Sequence, residues 1–99
     1  MRVIYTDSFA ADLDAIADFI RPDSPERAVT FIAQIAAVCH GVIVANPLTG
    51  HRKVEFREHL YSFVARGRLI FYSFEPAFNR ITFRRVIKGQ HVSWRDLED

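Results

Sequence analysis

Residues 61–75 read YSFVARGRLIFYSFE, and this stretch decides the fold. Two runs of aromatic and aliphatic residues flank the dipeptide Arg66-Gly67, which is typical of a two-residue hairpin turn. A turn of that length fixes which residues face each other across the two strands. On one face it predicts three pairs: Ala65 with Arg68, Phe63 with Ile70, and Tyr61 with Tyr72.

The opposite face of this hairpin is also largely apolar. It would carry Leu60, Ser62 and Val64 against Leu69, Phe71 and Ser73. A sheet with two apolar faces needs cover on both, and helices can cover one of them. For the second face two interpretations stay open: the C-terminal tail folds back over it, or another protein binds there.

Two helices are predicted on the N-terminal side of the hairpin, after a short strand at residues 2–5. The first begins with Asp7 as its cap and repeats Phe9, Leu13, Ile16, Ala17 and Ile20 at helical spacing. Its aspartates Asp12, Asp14 and Asp18 are expected on a solvated face. The second helix begins at Ser24-Pro25, and its apolar stripe is Ala28, Phe31, Ile32, Ile35, Val38, Cys39 and Val42.

Three strands are predicted after Pro47, near residues 54–64, 68–74 and 81–87, and residues 48–52 form a loop. The last strand places Arg84 and Arg85 on opposite faces. A short C-terminal tail or helix follows, with Trp94 among its apolar positions. The prediction is one α+β domain over residues 1–99, in the order β-α-α-β-β-β, with a helical hairpin on one face of a small antiparallel sheet.

Composition excludes several classes of protein. Neither a signal sequence nor an apolar run long enough to span a bilayer is evident, so we expect a cytoplasmic protein. The lone Cys39 lies in an apolar run, so we expect its thiol to be buried and inert. The four histidines have no metal-ligand spacing, and we expect no metal and no cofactor. Residues 1–50 carry a net charge of −3 and residues 51–99 one of +4. This asymmetry indicates an anionic partner or a charged, solvated sheet edge.

Basic residues crowd the C-terminal half beside Tyr61, Tyr72 and Trp94. They are Arg52, Lys53, Arg57, Arg66, Arg68, Arg84, Arg85 and Lys88. Arginine beside aromatic side chains is found both where proteins contact nucleic acids and at protein interfaces. These residues alone leave both interpretations open.

The ordered segments resemble the ParE/RelE toxins of bacterial toxin–antitoxin pairs. The matching pieces are SFAADLDAIADFI, SPERAVTFIAQI, NPLTGHR, YSFVARGRLIFY and ITFRRVIKGQ, and they cover nearly the whole chain. The ParE branch is similar in Pro25, the approach from Arg57 to Phe63, Ile70-Phe71-Tyr72, and Arg85 to Gly89. In the common ParE version a histidine precedes that glycine, where this chain has Lys88.

The resemblance implies one of two activities. ParE-like members are described as poisons of DNA gyrase, whereas RelE-like members cleave mRNA on the ribosome. The ribonuclease residues would be Arg68, Arg85 and His91, but Ser62 and Val64 stand where that branch carries lysines. The ParE-like activity is therefore expected, with RelE-like cleavage as the alternative and a non-toxic, antitoxin-binding relative as a third possibility.

The resemblance also implies partners. A ParE-like toxin would bind gyrase and a cognate antitoxin, which is expected to be ribbon-helix-helix-like and to form a hetero-oligomer with the toxin. The RelE-like alternative would bind the ribosome and mRNA. The expected target-binding residues are Arg84, Arg85, Lys88, Trp94 and Arg95, and the expected antitoxin-binding residues are Tyr61, Phe63, Ile70 and Tyr72.

Overall fold

Helices and strands follow one another in the expected order, in a computed structural model that describes residues 1–88. The elements are β1 (Arg2–Tyr5), α1 (Asp7–Ile20), α2 (Pro25–Val38), β2 (His51–Arg52), β3 (Leu60–Ala65), β4 (Arg68–Glu75) and β5 (Arg80–Ile87). The two helices pack on one face of a five-stranded sheet, which confirms the α+β class. The predicted C-terminal tail or helix lies outside the described residues.

Strand order in the sheet is β1-β5-β4-β3-β2. Strand β1 runs parallel to β5, with Arg2 opposite Arg80 and Tyr5 opposite Phe83, while the other neighbours are antiparallel. The sheet is therefore mixed and not wholly antiparallel. Because β1 and β5 are far apart in the sequence, no local turn signal sets their relative direction.

The central hairpin has the predicted register. Ala65 faces Arg68, Phe63 faces Ile70, and Tyr61 faces Tyr72. The turn residues Arg66 and Gly67 both have positive φ, 53° and 75°, as a two-residue hairpin turn of this type requires.

The approach to this hairpin differs from the prediction. Residues 54–59 are not strand, because the Lys53 carbonyl accepts hydrogen bonds from the amides of Phe56 (3.0 Å) and Arg57 (3.2 Å) and closes a turn. His59 follows with φ of 64°, so β3 begins only at Leu60. In the predicted loop, His51 and Arg52 pair with Ser62 and Tyr61 as β2.

Of the two predicted helix caps, one is confirmed and one is wrong. Ser24 caps α2 by accepting the Arg27 amide at 3.2 Å, with Pro25 in the first turn, as predicted. The cap of α1 is Thr6 and not Asp7: the Thr6 hydroxyl accepts the Phe9 amide at 3.0 Å and donates to the Arg84 carbonyl at 2.9 Å. Thr6 holds both contacts because it is the residue that leaves β1 beside β5. Asp7 lies in the first helical turn, where its charge suits the helix dipole.

A π-helical turn, Cys39–Ile43, continues α2 and changes which residue enters the core. Each π turn holds an extra residue, so the apolar stripe rotates by one position. Ile43 is therefore fully buried, while the predicted Val42 is 40% exposed. The combined segment Pro25–Ile43 is long and apolar enough to cross a membrane by length and composition alone, but Ala28, Ile35, Cys39 and Ile43 pack as a core helix.

The second face of the sheet has its own small cluster. Leu60 and Phe71 are 1% exposed, and Phe56, Leu69 and Ile87 pack against them. The turn at residues 53–57 thus brings Phe56 onto the second face of the sheet. For this face the sequence analysis left open whether the C-terminal tail or another protein covers it.

Candidate functional site

The basic residues that the sequence groups together lie in three places. Arg52, Lys53 and Arg57 lie on β2 and the turn after it, while Arg84 and Arg85 lie within β5. Arg66, Arg68 and Lys88 lie at the turn end of the sheet, because β4 begins and β5 ends there. The basic residues therefore fall into three groups, and each group has its own surroundings.

Arg85 is clamped to helix α1 by Asp12. Its Nε lies 2.6 Å from Oδ2 of Asp12 and its Nη2 lies 2.9 Å from Oδ1, and the Val86 amide donates to the same carboxylate at 3.0 Å. The two side chains are only 22% and 14% exposed. Charge-assisted, two-pronged pairs of this kind are strong, so Asp12 fixes α1 against the end of β5. The expectation that Asp12 is solvated is wrong.

Arg84 points to the other side of the sheet, as predicted. Its Nε donates to the Ser73 hydroxyl at 2.6 Å, on the face that carries Leu60 and Phe71. The ladder between β4 and β5 is irregular at Phe71 and Tyr72, where β5 carries an extra residue. Arg84 is the extra residue, because Phe83 faces Tyr72 and Arg85 faces Phe71.

A shallow hollow of about 190 Å³ opens beside the hairpin turn, and we call it the tip hollow. Ala15, Ile16 and Phe19 of α1 line it together with Arg68 and Lys88. Phe19 is 75% exposed. The Arg68 guanidinium lies over the Phe31 ring, 5.9 Å from the ring centre, which holds it at the rim.

The expected antitoxin-binding residues lie mostly inside the core. Ile70 and Tyr72 are fully buried, Tyr61 is 7% exposed, and Phe63 is half-buried against the same cluster. Tyr61 and Tyr72 stack on each other with ring centres 5.4 Å apart. In this conformation they contact the chain's own helices and loops, and an antitoxin role for them stays a prediction.

The Tyr72 hydroxyl fastens the loop after α2. It donates to the Pro47 carbonyl at 2.8 Å and accepts the Gly50 amide at 3.0 Å. A Cβ atom at Gly50 would lie 2.6 Å from that hydroxyl oxygen and 2.7 Å from the Ser62 carbonyl. Glycine is therefore required for this close approach. Burial raises the pKa of Tyr72, although the Gly50 hydrogen bond acts in the opposite direction.

The three residues of the ribonuclease alternative are not all placed. Arg68 lies at the tip hollow and Arg85 in the clamp, while His91 lies outside the described residues, as do the target-binding candidates Trp94 and Arg95. Lys88 is exposed at the end of β5.

Burial raises the pKa of the Cys39 thiol to about 12, which leaves it a neutral core group. Within residues 1–88 no three His, Cys, Asp or Glu side chains gather as a metal site would require.

Sequence reasoning missed two residues of this region, Asp12 and Phe19. Asp12 lies on the α1 stripe with Ile16 and Phe19, at spacings of four and three, so it shares the face that meets β5. The spacing can be read from the sequence. It indicates a buried ion pair only when a partly buried cation is known to face the aspartate.

Comparisons with known proteins agree on a family. A family model described as the ParE toxin of the type II toxin–antitoxin system parDE matches residues 3–92. The structure is similar to a chain of the chromosomal ParDE toxin–antitoxin system from P. aeruginosa, with a TM-score of 0.72 and 22% identity, covering 91% of this chain and 97% of that one. That likeness concerns the fold. A comparison with curated proteins gave no match. Since the family model spans most of its length, the chain belongs to the ParE toxin family of type II toxin–antitoxin systems.

Proposed function

We propose that this toxin inhibits DNA gyrase without cleaving nucleic acid, and that a cognate antitoxin neutralises it in the cytoplasm. The observation that carries the proposal is the ParE family match over residues 3–92. Gyrase is the target described for the ParE branch that the sequence resembles. The solved relative belongs to a ParDE toxin–antitoxin system, which supports an antitoxin as partner here.

The surroundings of the arginines support binding over bond cleavage. Cleavage of RNA needs charges arranged around the reacting phosphate. Arg85 is held by Asp12, and Arg68 lies over Phe31. Ser62 and Val64 replace the lysines of the RelE branch, and Ser62 is buried at 3% exposure.

We assign target binding to the end of β5 and the segment after it: Arg84, Arg85, Lys88, Trp94 and Arg95. Lys88 is the exposed member of this set among residues 1–88 and the one we expect to contact gyrase directly. Arg84 and Arg85 would act by holding the strand that presents it.

Supercoiling of relaxed plasmid by purified gyrase tests the proposal. Folded toxin in molar excess should block supercoiling, and prior mixing with the antitoxin, the product of the neighbouring reading frame, should restore it. A type I topoisomerase assayed beside gyrase controls for plasmid sequestration. Intact supercoiling at excess toxin would overturn gyrase as the target.

The RelE-like alternative is tested in cells in which expression of the toxin is induced without antitoxin. Cuts near codons of translated messages that disappear in His91→Ala would establish mRNA cleavage and overturn the proposal. Unchanged growth with abundant, folded protein would instead favour the non-toxic, antitoxin-binding relative.

A further inference from the structure

The floor of the tip hollow is an apolar surface without described cover. Ile16 is nearly buried at 8% exposure, whereas Phe19, one turn further along α1, leaves 75% of its surface exposed. A large aromatic side chain beside a hollow is a typical anchor position at protein interfaces. This floor suits an apolar side chain from a partner.

The rim of the hollow is cationic. Arg68 comes from the start of β4 and Lys88 directly follows β5, and among residues 1–88 no acidic side chain lines the hollow. Among residues 1–88 neither cation forms an ion pair with a carboxylate. Arg66 adds a third positive charge in the adjacent turn. Such a rim is complementary to a partner carboxylate.

The hollow is also held in shape before any partner arrives. The Asp12–Arg85 clamp fixes α1 against β5 on the stripe that continues to Ile16 and Phe19. Phe31 supports the guanidinium of Arg68 from α2. A preformed site loses less conformational entropy on binding than a disordered one.

We propose that the tip hollow binds an antitoxin segment that places an apolar side chain on Ile16 and Phe19 and a carboxylate between Arg68 and Lys88. The proposal rests on the proposed toxin function, which supplies the partner. An acidic, apolar peptide fits better than nucleic acid, because a phosphate backbone would use the rim and leave the floor exposed. Binding here would cover Lys88, so antitoxin and gyrase would compete for one end of the sheet.

Binding of the purified antitoxin, measured by calorimetry on the full chain, tests the site. Phe19→Ala and Arg68→Ala should each raise the dissociation constant about tenfold, as central interface contacts do. The double reversal Arg68→Glu with Lys88→Glu should raise it about a hundredfold or more, because like charges then meet. The affinity of the wild type should fall with added salt, and that dependence should shrink in Arg68→Ala with Lys88→Ala.

Val29→Ala and Phe78→Ala are matched controls, since these side chains are 72% and 68% exposed but lie outside the hollow. Both should bind within about twofold of the wild type, as rim or remote positions do. Thermal unfolding of every variant checks its folding. A carboxylate-to-lysine change in the antitoxin that restores binding to Lys88→Glu would identify the paired residue.

Equal affinity of Phe19→Ala and wild type would overturn the hollow as docking site and leave the proposed function standing. Loss of DNA or RNA binding in the double reversal, with antitoxin binding unchanged, would make the rim a nucleic-acid contact and also overturn it. Failure to inhibit gyrase, with antitoxin affinity still following the hollow variants, would reject the target alone. A concentration-dependent dimer abolished by Phe19→Ala would assign the hollow to a second copy of the chain and overturn the proposal.

Discussion

The charged groups that join α1 to β5 and those at the hairpin end of the sheet differ in how completely they are satisfied by partners within the chain. Asp12 and Arg85 share two hydrogen bonds, and within residues 1–88 no buried side-chain nitrogen or oxygen lacks a partner. At the hairpin end, Arg68 and Lys88 flank exposed Phe19. Arginine therefore serves stability in one region, whereas in the other we expect it to serve binding.

The largest effect is expected when the clamp is broken. Asp12→Ala leaves the Arg85 guanidinium and the Val86 amide without this carboxylate, and removing one partner of a partly buried pair should cost about 3 kcal/mol of unfolding free energy. Urea unfolding measures this cost. The control is Asp14→Ala, an exposed carboxylate on the same helix. Equal losses of unfolding free energy in the two variants would show that the clamp stabilises the protein no more than an exposed carboxylate does.

Gly50→Ala should be the next most damaging change. Its Cβ would overlap the Tyr72 hydroxyl and the Ser62 carbonyl, and overpacking of this kind costs about 2 kcal/mol. Gly41→Ala is the contrasting variant, because its Cβ meets nothing within 4 Å. That helical substitution should stabilise the protein by about 0.5–1 kcal/mol. Thermal unfolding of the two variants measures the difference, and similar melting temperatures would contradict the crowding at Gly50.

Tyr72→Phe should have a smaller effect, about 1–2 kcal/mol, because the Pro47 carbonyl and Gly50 amide lose their partner. The effect should depend on pH. Burial raises the pKa of Tyr72 above 10.0, so the unfolded chain ionises first and stability falls as the pH rises through 10. Urea unfolding on both sides of that pH should show a shallower decline in Tyr72→Phe. An equal decline in both proteins would assign the loss to other groups.

The smallest effect is expected at the hairpin end. Lys88 is exposed and has no carboxylate partner among residues 1–88, so Lys88→Ala should change stability by less than about 0.5 kcal/mol. Urea unfolding beside Asp12→Ala gives the direct contrast. A loss comparable to that of Asp12→Ala would mean that this end of the sheet is structural and would remove the distinction between the two regions.

The hairpin was predictable because its register depends on two adjacent residues. Arg66 and Gly67 adopt the positive φ values that such a turn needs, and the pairing of the flanking strands follows from it. Ser24 as a helix cap was predictable for the same reason, since a cap and its first turn are neighbours in the sequence.

The clamp and the burial of the hairpin residues were not predictable in this way. Asp12 meets Arg85 only because the whole domain brings α1 against β5, and a lone aspartate on a helix is ordinarily solvated. The sequence showed that Tyr61 and Tyr72 lie on one of two apolar faces, but not that theirs is the face covered by the chain's own helices. Ile43 replaced Val42 in the core because a π turn rotates the helix, which an assumed period of 3.6 residues cannot anticipate.

The parallel pairing of β1 with β5 has a consequence for synthesis of the toxin. Strand β1 leaves the ribosome first, yet its neighbour in the sheet is the last strand of residues 1–88. Translation proceeds at about 5–20 residues per second, so β1 waits for several seconds with its pairing edge open. The Thr6 contact with Arg84 and the Asp12 clamp also require β5. A nascent or truncated chain that lacks β5 therefore cannot complete the fold, and toxicity should begin only with nearly full-length protein.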